Sequence, residues 1–307
     1  MSAQNTRVLP YGPQAIAEAA RLIAAGQPVA MPTETVYGLA ADATNGEAIA
    51  RIYEAKGRPS FNPLIVHVSG VVQASEIAIF SGEATALAER YWPGPLTLVL
   101  PLLGGAPIAS LVTAGLPTIA IRAPAHPAMR DLLDAIGKPL AAPSANASGR
   151  ISPTRAQHVL ASLGGRIALI VDGGATPHGL ESTIVAVTDG ALRLLRPGPI
   201  DLGLGKETGG PIEAPGQLAS HYAPSKPLRL NAVETRHDEW LIGFGAVPGD
   251  ATLSASGDLV EAAASLFEML HQAEAAPQAR IAIAPIPDEG LGSAINDRLR
   301  RAAASRP

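Results

Sequence analysis

The stretch KGRPSFNPLIVHV, residues 56–68, decides how this chain is built. It closes a helical pattern over Gly46 to Lys56, in which Ile49, Ile52 and Tyr53 share one face and Gly57 provides the stop. Pro59 and Pro63 then stiffen a short loop, and LIVHV (64–68) follows, apolar on both faces except for His67. A strand that buries both faces belongs to a sheet covered on both sides, so a helix, a stiff loop and such a strand together indicate an α/β fold. The same alternation extends outward. Upstream, Pro13 to Ala25 reads as a helix with proline in its first turn and Gly26 beyond its end, and PVAMP (28–32) as a strand. Downstream, strands are expected at 96–100, 118–122, 140–143, 167–172, 182–187 and 192–196, and helices at 83–91, 126–136 and 154–162.

The pattern breaks after Arg196. Residues 197–227 are rich in glycine and proline, the composition of a linker or irregular loop. Beyond them, LRLNAV, WLIGFGAV, a helix at 258–274, RIAIAPI and a helix near 290–303 form a second, smaller α/β unit. The expected division is a large domain at 1–205, a linker or lid at 206–227 and a small domain at 228–307.

Composition narrows the function. The 307 residues are 47% hydrophobic and 16% charged, which describes a chain with a large core. A net charge of -4 provides no general basic field for nucleic acid, so any anion site must be local. There is no cysteine, which excludes disulfides, thiolate nucleophiles and cysteine-built metal sites and suits a reducing cytoplasm. The N-terminal MSAQNTRVLPYG has no signal-peptide core, and no apolar run reaches membrane-spanning length, so a cytoplasmic protein without membrane contact is expected. No P-loop, dinucleotide fingerprint, nucleophile elbow or helical histidine pair is present.

What remains is a set of polar residues at strand ends. PTETVYG (32–38) places Thr33, Glu34 and Thr35 directly after a strand, where α/β proteins carry ligand groups. Lys56 falls on the apolar face of its helix; alone, it reads as a cation favoured at a helix C-terminus, worth about 0.3–1 kcal/mol. Arg58 and Asn62, held by the two prolines, shift the reading toward anion recognition. His67 alone is more often a satisfied core residue than a ligand group. Arg122, ending TIAIR, needs a carboxylate or phosphate partner. Ser144, Asn146, Ser148 and Ser152 lie on a loop suited to phosphate oxygens or to an ordinary turn. Glu181, Ser182 and Thr183 enter a strand, and Arg196 closes another. Cations and hydroxyls without a catalytic dyad fit phosphoryl or nucleotidyl chemistry, where positioning and charge neutralisation dominate.

In order, PTETVYGLA, KGRPSFNPLIVHV, WPGPLTLVL, TIAIRAPAHP, AAPSANASG, LIVDGG, ESTIVAV and LLRPGP closely resemble the YrdC-type threonylcarbamoyl-AMP synthase family, from about residue 12 to 200. HYAP (221–224) and the terminal unit resemble its two-domain form. The resemblance implies a large twisted mixed-sheet domain with a small Rossmann-like α/β domain, and a nucleotidyltransferase that makes threonylcarbamoyl-AMP and pyrophosphate from L-threonine, bicarbonate and ATP. It implies that Thr35, His67, Arg122, the Ala142 backbone and Ser182 hold threonine. It assigns Arg58, Asn62, Thr118, Ser144, Ser152, Arg196 and Tyr222 to ATP, with Lys56, Arg58 and Ser144 as the catalytic group. Mg²⁺ is implied on the phosphates rather than in a protein site. Separate transferase proteins that modify tRNA are implied downstream, with weak RNA contact. The alternative is an RNA-binding or regulatory protein of the same fold, against which the acidic balance and 4% aromatic content weigh.

Overall fold

A computed structural model describes residues 5–59, 61–188, 190–205, 212–218 and 220–304. In chain order the first unit comprises Arg7–Pro10 (β1), Pro13–Ala24 (α1), Val29–Met31 (β2), Gly38–Asp42 (β3), Gly46–Lys56 (α2) and Ile65–His67 (β4). Val71–Ser75 (α3), Gly82–Tyr91 (α4), Leu96–Pro101 (β5), Ser110–Thr113 (α5) and Thr118–Arg122 (β6) follow. Pro127–Ile136 (α6), Leu140–Ala141 (β7), Ala156–Leu163 (α7), Leu169–Asp172 (β8), Thr183–Thr188 (β9) and Ala191–Arg196 (β10) complete it. The second unit runs Leu228–Arg229 (β11), Glu239–Gly243 (β12), Ala251–Thr252 (β13), Leu259–Ala275 (α8), Arg280–Ile283 (β14) and Leu291–Ala303 (α9).

Among the described residues the first unit forms a ten-stranded mixed sheet in the order β1-β8-β2-β3-β7-β4-β6-β5-β9-β10, and the second a four-stranded sheet, β11-β14-β12-β13. All pairs in the smaller sheet are parallel. Side chains alternate across the large sheet with the two-residue period of strands. Leu64 and Val66, Leu96 and Leu98, Ile119 and Ile121, and Val185 and Val187 face the main core with α2 and α4. On the opposite face, Val29, Met31, Leu169 and Val171 are covered by α1 and α6. The rest of that face, around Ile65, Val99, Ala120, Ile184 and Ala186, receives Ala214 from the segment after β10. This half-covered face carries the polar residues described below.

The start of α2 follows from Asn45, whose side-chain oxygen accepts from the Glu47 and Ala48 amides; its end follows from Gly57, at φ 60°. The expected helices and the strands of the first unit appear with ends shifted by a residue or two; in the second unit LRLNAV shortens to Leu228–Arg229, and WLIGFGAV and RIAIAPI end at Gly243 and Ile283. The LAAP strand shortens to Leu140–Ala141. Five elements were not anticipated: β1, β3, α3, α5 and β13. β3, GLAAD, carries no β-branched or aromatic residue, yet it pairs with β2 on one side and β7 on the other. Of the expected linker at 206–227, residues 206–211 and 219 lie outside the described residues, as do 305–307 of the small domain. Among the described residues no helix is long and apolar enough to cross a membrane.

Candidate active site

β4 and β6 run parallel with His67 opposite Arg122, so both side chains emerge at one end of the half-covered face. Arg122 is buried there. Its Nη2 donates to Glu34 Oε1 at 2.5 Å, its Nη1 to Thr35 Oγ1 at 2.8 Å and its Nε to the Gly94 carbonyl at 3.1 Å. The expected anion partner of this strand-end arginine is thus an internal carboxylate. Burial alone pushes the Glu34 carboxyl upward, but the Arg122 charge and hydrogen bond bring it down to about 2. The neighbouring Thr33 hydroxyl accepts from the Thr35 and Val36 amides, which shapes the turn that presents Thr35. His67 is held neutral, lowered to about 3 by burial and by Arg122, and its buried Nδ1 has no hydrogen-bond partner among the described residues.

A second group of cations lies beside this end. Arg58 Nη2 donates to the Pro63 carbonyl at 3.0 Å and its Nε to the Asn62 carbonyl at 3.3 Å. Arg196 Nε donates to the Ser182 carbonyl and Nη2 to Ser182 Oγ, both at 3.0 Å, and Nη1 to the Pro215 carbonyl at 3.3 Å. Lys56 donates its Nζ protons to the carbonyls of Ser144 and Asn146. All three are buried, and among the described residues none makes an ion pair with a carboxylate. Burial lowers each of them, Arg58 to about 10. Charges taken out of water are normally paired, so three cations satisfied only by neutral oxygens mark a place prepared for an anion.

The two groups meet in one tight cavity of about 50 Å³. Its walls include Thr33, Thr35, Arg58, His67, Arg122, Ala142, Ser144, Glu181, Ser182 and Arg196 from the large sheet, and Pro215, Gly216, His221 and Tyr222 from the covering segment. Ser182 Oγ also shares a hydrogen with Thr97 Oγ1 at 2.7 Å. The segment closes tightly: a Cβ on Gly216, at φ +86°, would lie 2.6 Å from the Tyr222 hydroxyl and 3.0 Å from Arg196 Cδ. His221, surrounded by Arg58, Lys56, Arg196 and Arg298, is buried and pushed well below its ordinary range, first by burial and then by those charges.

Of the residues expected from sequence, Thr35, Arg58, His67, Arg122, Ala142, Ser144, Ser182, Arg196 and Tyr222 line this cavity. Lys56 stands behind it, tying down the loop that carries Ser144. Asn62 is buried beside Arg58, with its side-chain oxygen unpartnered. Ser152 is buried and donates to the Glu181 carboxylate instead of opening onto the cavity. Thr118 shares the face of Ala120 and Arg122 but starts β6, about 13 Å along the strand from Arg122. Sequence reasoning noted Glu34 and Glu181 without giving them a role, and it passed over His221, Gly216 and Arg298. His221 sits in the quoted HYAP stretch, but Arg298 lies in a charged helical pattern that reads as a solvated face. Among the described residues no group of three or more His, Asp or Glu could hold a metal ion.

The profile of the Sua5–YciO–YrdC family, described as "Telomere recombination", matches residues 21–198. That of the threonylcarbamoyl-AMP synthase C-terminal domain matches residues 182–304. Threonylcarbamoyl-AMP synthase from Bacillus subtilis (strain 168) is 41% identical, over 95% of this chain and 93% of its own length. The chain belongs to the threonylcarbamoyl-AMP synthase family. The enzyme of that name from Pyrococcus abyssi is 38% identical, with 94% of each chain covered. The crystal structure of P. abyssi Sua5 complexed with L-threonine superposes with a TM-score of 0.87 at 36% identity, covering 97% of each chain. Membership in the threonylcarbamoyl-AMP synthase family therefore extends over both units of the fold.

Proposed function

We propose that this chain joins L-threonine, bicarbonate and ATP into threonylcarbamoyl-AMP and pyrophosphate in the cavity between the large sheet and the covering segment. The observation that carries this reading is the group of buried cations, Lys56, Arg58 and Arg196, which have no carboxylate partner among the described residues and lie beside the polar end formed by His67 and Arg122. A triphosphate supplies the missing charge, and a zwitterionic amino acid suits the Arg122 end, where charge is already balanced by Glu34. Arg122 then receives the threonine carboxylate, with Thr35, the Ala142 backbone and Ser182 around it. Neutral His67 offers its free ring nitrogen to a polar substrate group without adding charge. Arg58, Asn62, Thr118, Ser144, Ser152, Arg196 and Tyr222 form the ATP side.

The threonine nitrogen attacks the carbon of bicarbonate or CO2, and water or a proton leaves to give a carbamate. A carbamate oxygen attacks the α-phosphorus, its bond to the β-phosphate oxygen breaks, and pyrophosphate departs. No covalent enzyme intermediate is needed. Arg58 and Arg196 neutralise charge on the phosphates, while Lys56 contributes its field and fixes Ser144 through the loop carbonyls. The cavity walls hold cations, hydroxyls and one engaged carboxylate, Glu181. Such a donor set fits Mg²⁺ brought in on the phosphates, where it would shield the charge of the leaving pyrophosphate.

We assign 1–205 as the catalytic domain, 206–227 as a linker acting as a lid, and 228–307 as the small domain that supports it. The product is an activated carbamoyl donor that suits transfer to tRNA by separate cytoplasmic proteins. Product analysis tests the reading. Purified protein given ATP, bicarbonate and a panel of amino acids forms threonylcarbamoyl-AMP, identified by mass, only when threonine and bicarbonate are both present. Absence of a nucleotide product, or a product indifferent to threonine, contradicts it.

A further inference from the structure

Glu181 is an awkward residue to find in this cavity. It places a carboxylate in the wall of a site lined by Arg58 and Arg196, where it competes with any phosphate for those cations. Arg196 does not pair with it; its three donating nitrogens are taken by Ser182 and Pro215. The Glu181 carboxylate turns away instead. One oxygen accepts from the Ser152 hydroxyl, and the other from Arg298 Nε at 2.9 Å.

Arg298 comes from α9 of the second unit and is 0% exposed. Its Nη1 donates to the Pro197 carbonyl at 2.9 Å and to Asp297 Oδ2 at 3.0 Å, and its Cζ lies 5.4 Å from the centre of the Tyr222 ring. Burial works against its charge, but Tyr222, Glu181 and Asp297 outweigh burial and hold the guanidinium firmly protonated. The same helix grips the covering segment: Arg301 donates to the Leu218 carbonyl, and the His221 amide donates to the Arg301 carbonyl at 3.2 Å.

We propose that Arg298 is a positioning residue for the nucleotide half of the site: by engaging Glu181 it keeps that carboxylate off Arg196 and leaves the cavity's cations free for a triphosphate. The second unit thus completes the site electrostatically without touching substrate. Without Arg298, the buried carboxylate retains, among the described residues, only the Ser152 hydroxyl, and Arg196, whose charge it already faces, lines the same cavity. Tyr222 also loses the charge against its ring. The proposal rests on the reading of this cavity as an ATP and threonine site.

The test compares wild type, Arg298→Ala, and the double variant Arg298→Ala with Glu181→Gln, measuring ATP and threonine affinities by calorimetry on the full chain. Arg298→Ala is expected to weaken ATP binding by tenfold or more while threonine affinity changes by less than about threefold. The double variant, which removes the competing charge, regains most of the ATP affinity. A purely structural pair would recover stability on the same second substitution, so the distinction lies in folded protein: a structural role moves ATP and threonine affinity together, whereas a positioning role moves ATP affinity alone. Should Arg298→Ala fail to fold, Arg298→Gln takes its place and is judged by the same split: ATP affinity lost with threonine affinity kept supports the proposal, and both lost or both kept overturns it. Unchanged ATP affinity in Arg298→Ala, or a double variant no better than the single, overturns it as well. Wild-type protein that binds neither ligand refutes the underlying reading of the site, and the proposal with it.

Discussion

Arg122 ends β6 beside Glu34, whereas Arg58 and Arg196 are buried among carbonyls and a hydroxyl. That contrast separates the two ends of the cavity. At the Arg122 end the net charge is already balanced, so a zwitterionic amino acid adds little electrostatic strain; at the other end positive charge awaits a polyanion. Arg122→Ala is expected to weaken threonine binding about 10- to 100-fold, the loss of a charged hydrogen bond worth about 1.5–3 kcal/mol, with a smaller effect on ATP. Unchanged threonine affinity by calorimetry contradicts the assignment. The same end governs acid stability. The Glu34 carboxyl sits at about 2 in the fold against an ordinary 4.5, so its contribution is complete above pH 4.5 and fades as pH falls toward 2. His67 sits at about 3 against an ordinary 6.5; below pH 6.5 the unfolded chain takes up a proton that the fold refuses, so stability falls from there toward pH 3. Between pH 7 and 5 this histidine is expected to account for about 2 kcal/mol of lost stability. Urea unfolding at the two pH values should show that loss reduced by a similar amount in His67→Leu. An equal loss in both proteins would remove His67 from the account.

At the scale of elements, the segment after β10 decides whether the cavity is open to water. Ala214 packs on the apolar floor of the sheet, Pro215 accepts from Arg196, and Tyr222 packs against Phe267 of α8 with ring centres 5.7 Å apart. The product and its carbamate precursor both decompose in water, so a cover that closes over bound substrates protects them. Protease digestion of the full chain is expected to cut between 212 and 222 more slowly when ATP and threonine are present together. Equal rates with and without ligands would make the segment a plain tether. Most elements were legible because apolar positions recur with helical or strand periods and because caps such as Asn45 and Gly57 mark boundaries. β3 was not, since its residues are small and its pairing is decided by neighbours distant in sequence. Among site residues, Arg58 and Arg196 were found because a cation beside proline in an apolar run is conspicuous. Arg298 was invisible, because a helix that reads NDRLRR gives no sign of which charge turns inward across a domain boundary. The pairing of Arg122 with Glu34 was equally hidden, since nothing in the spacing joins residues 88 apart.

At the scale of the molecule, the two units share one apolar core beside the cavity. Val36, Ile151 and Leu180 of the first unit pack with Phe267, Leu266 and Ile295 of the second in a single core, and Arg298 crosses the boundary to Glu181. The second unit therefore supports the site from behind, while the cavity's polar lining comes from the first unit and the covering segment. The central claim is that the buried cations of this cavity exist for the triphosphate of ATP. The measurement that tests it most directly is pyrophosphate release by wild type, Arg58→Ala and Arg196→Ala, each shown to be folded, with threonine and bicarbonate present or withheld. Wild type is expected to release pyrophosphate only when both are supplied, and each variant to lose about 100-fold or more, the scale of about 2.7–4 kcal/mol of electrostatic stabilisation in a transition state. Folded variants that turn over like wild type, or release that ignores threonine, would contradict the account.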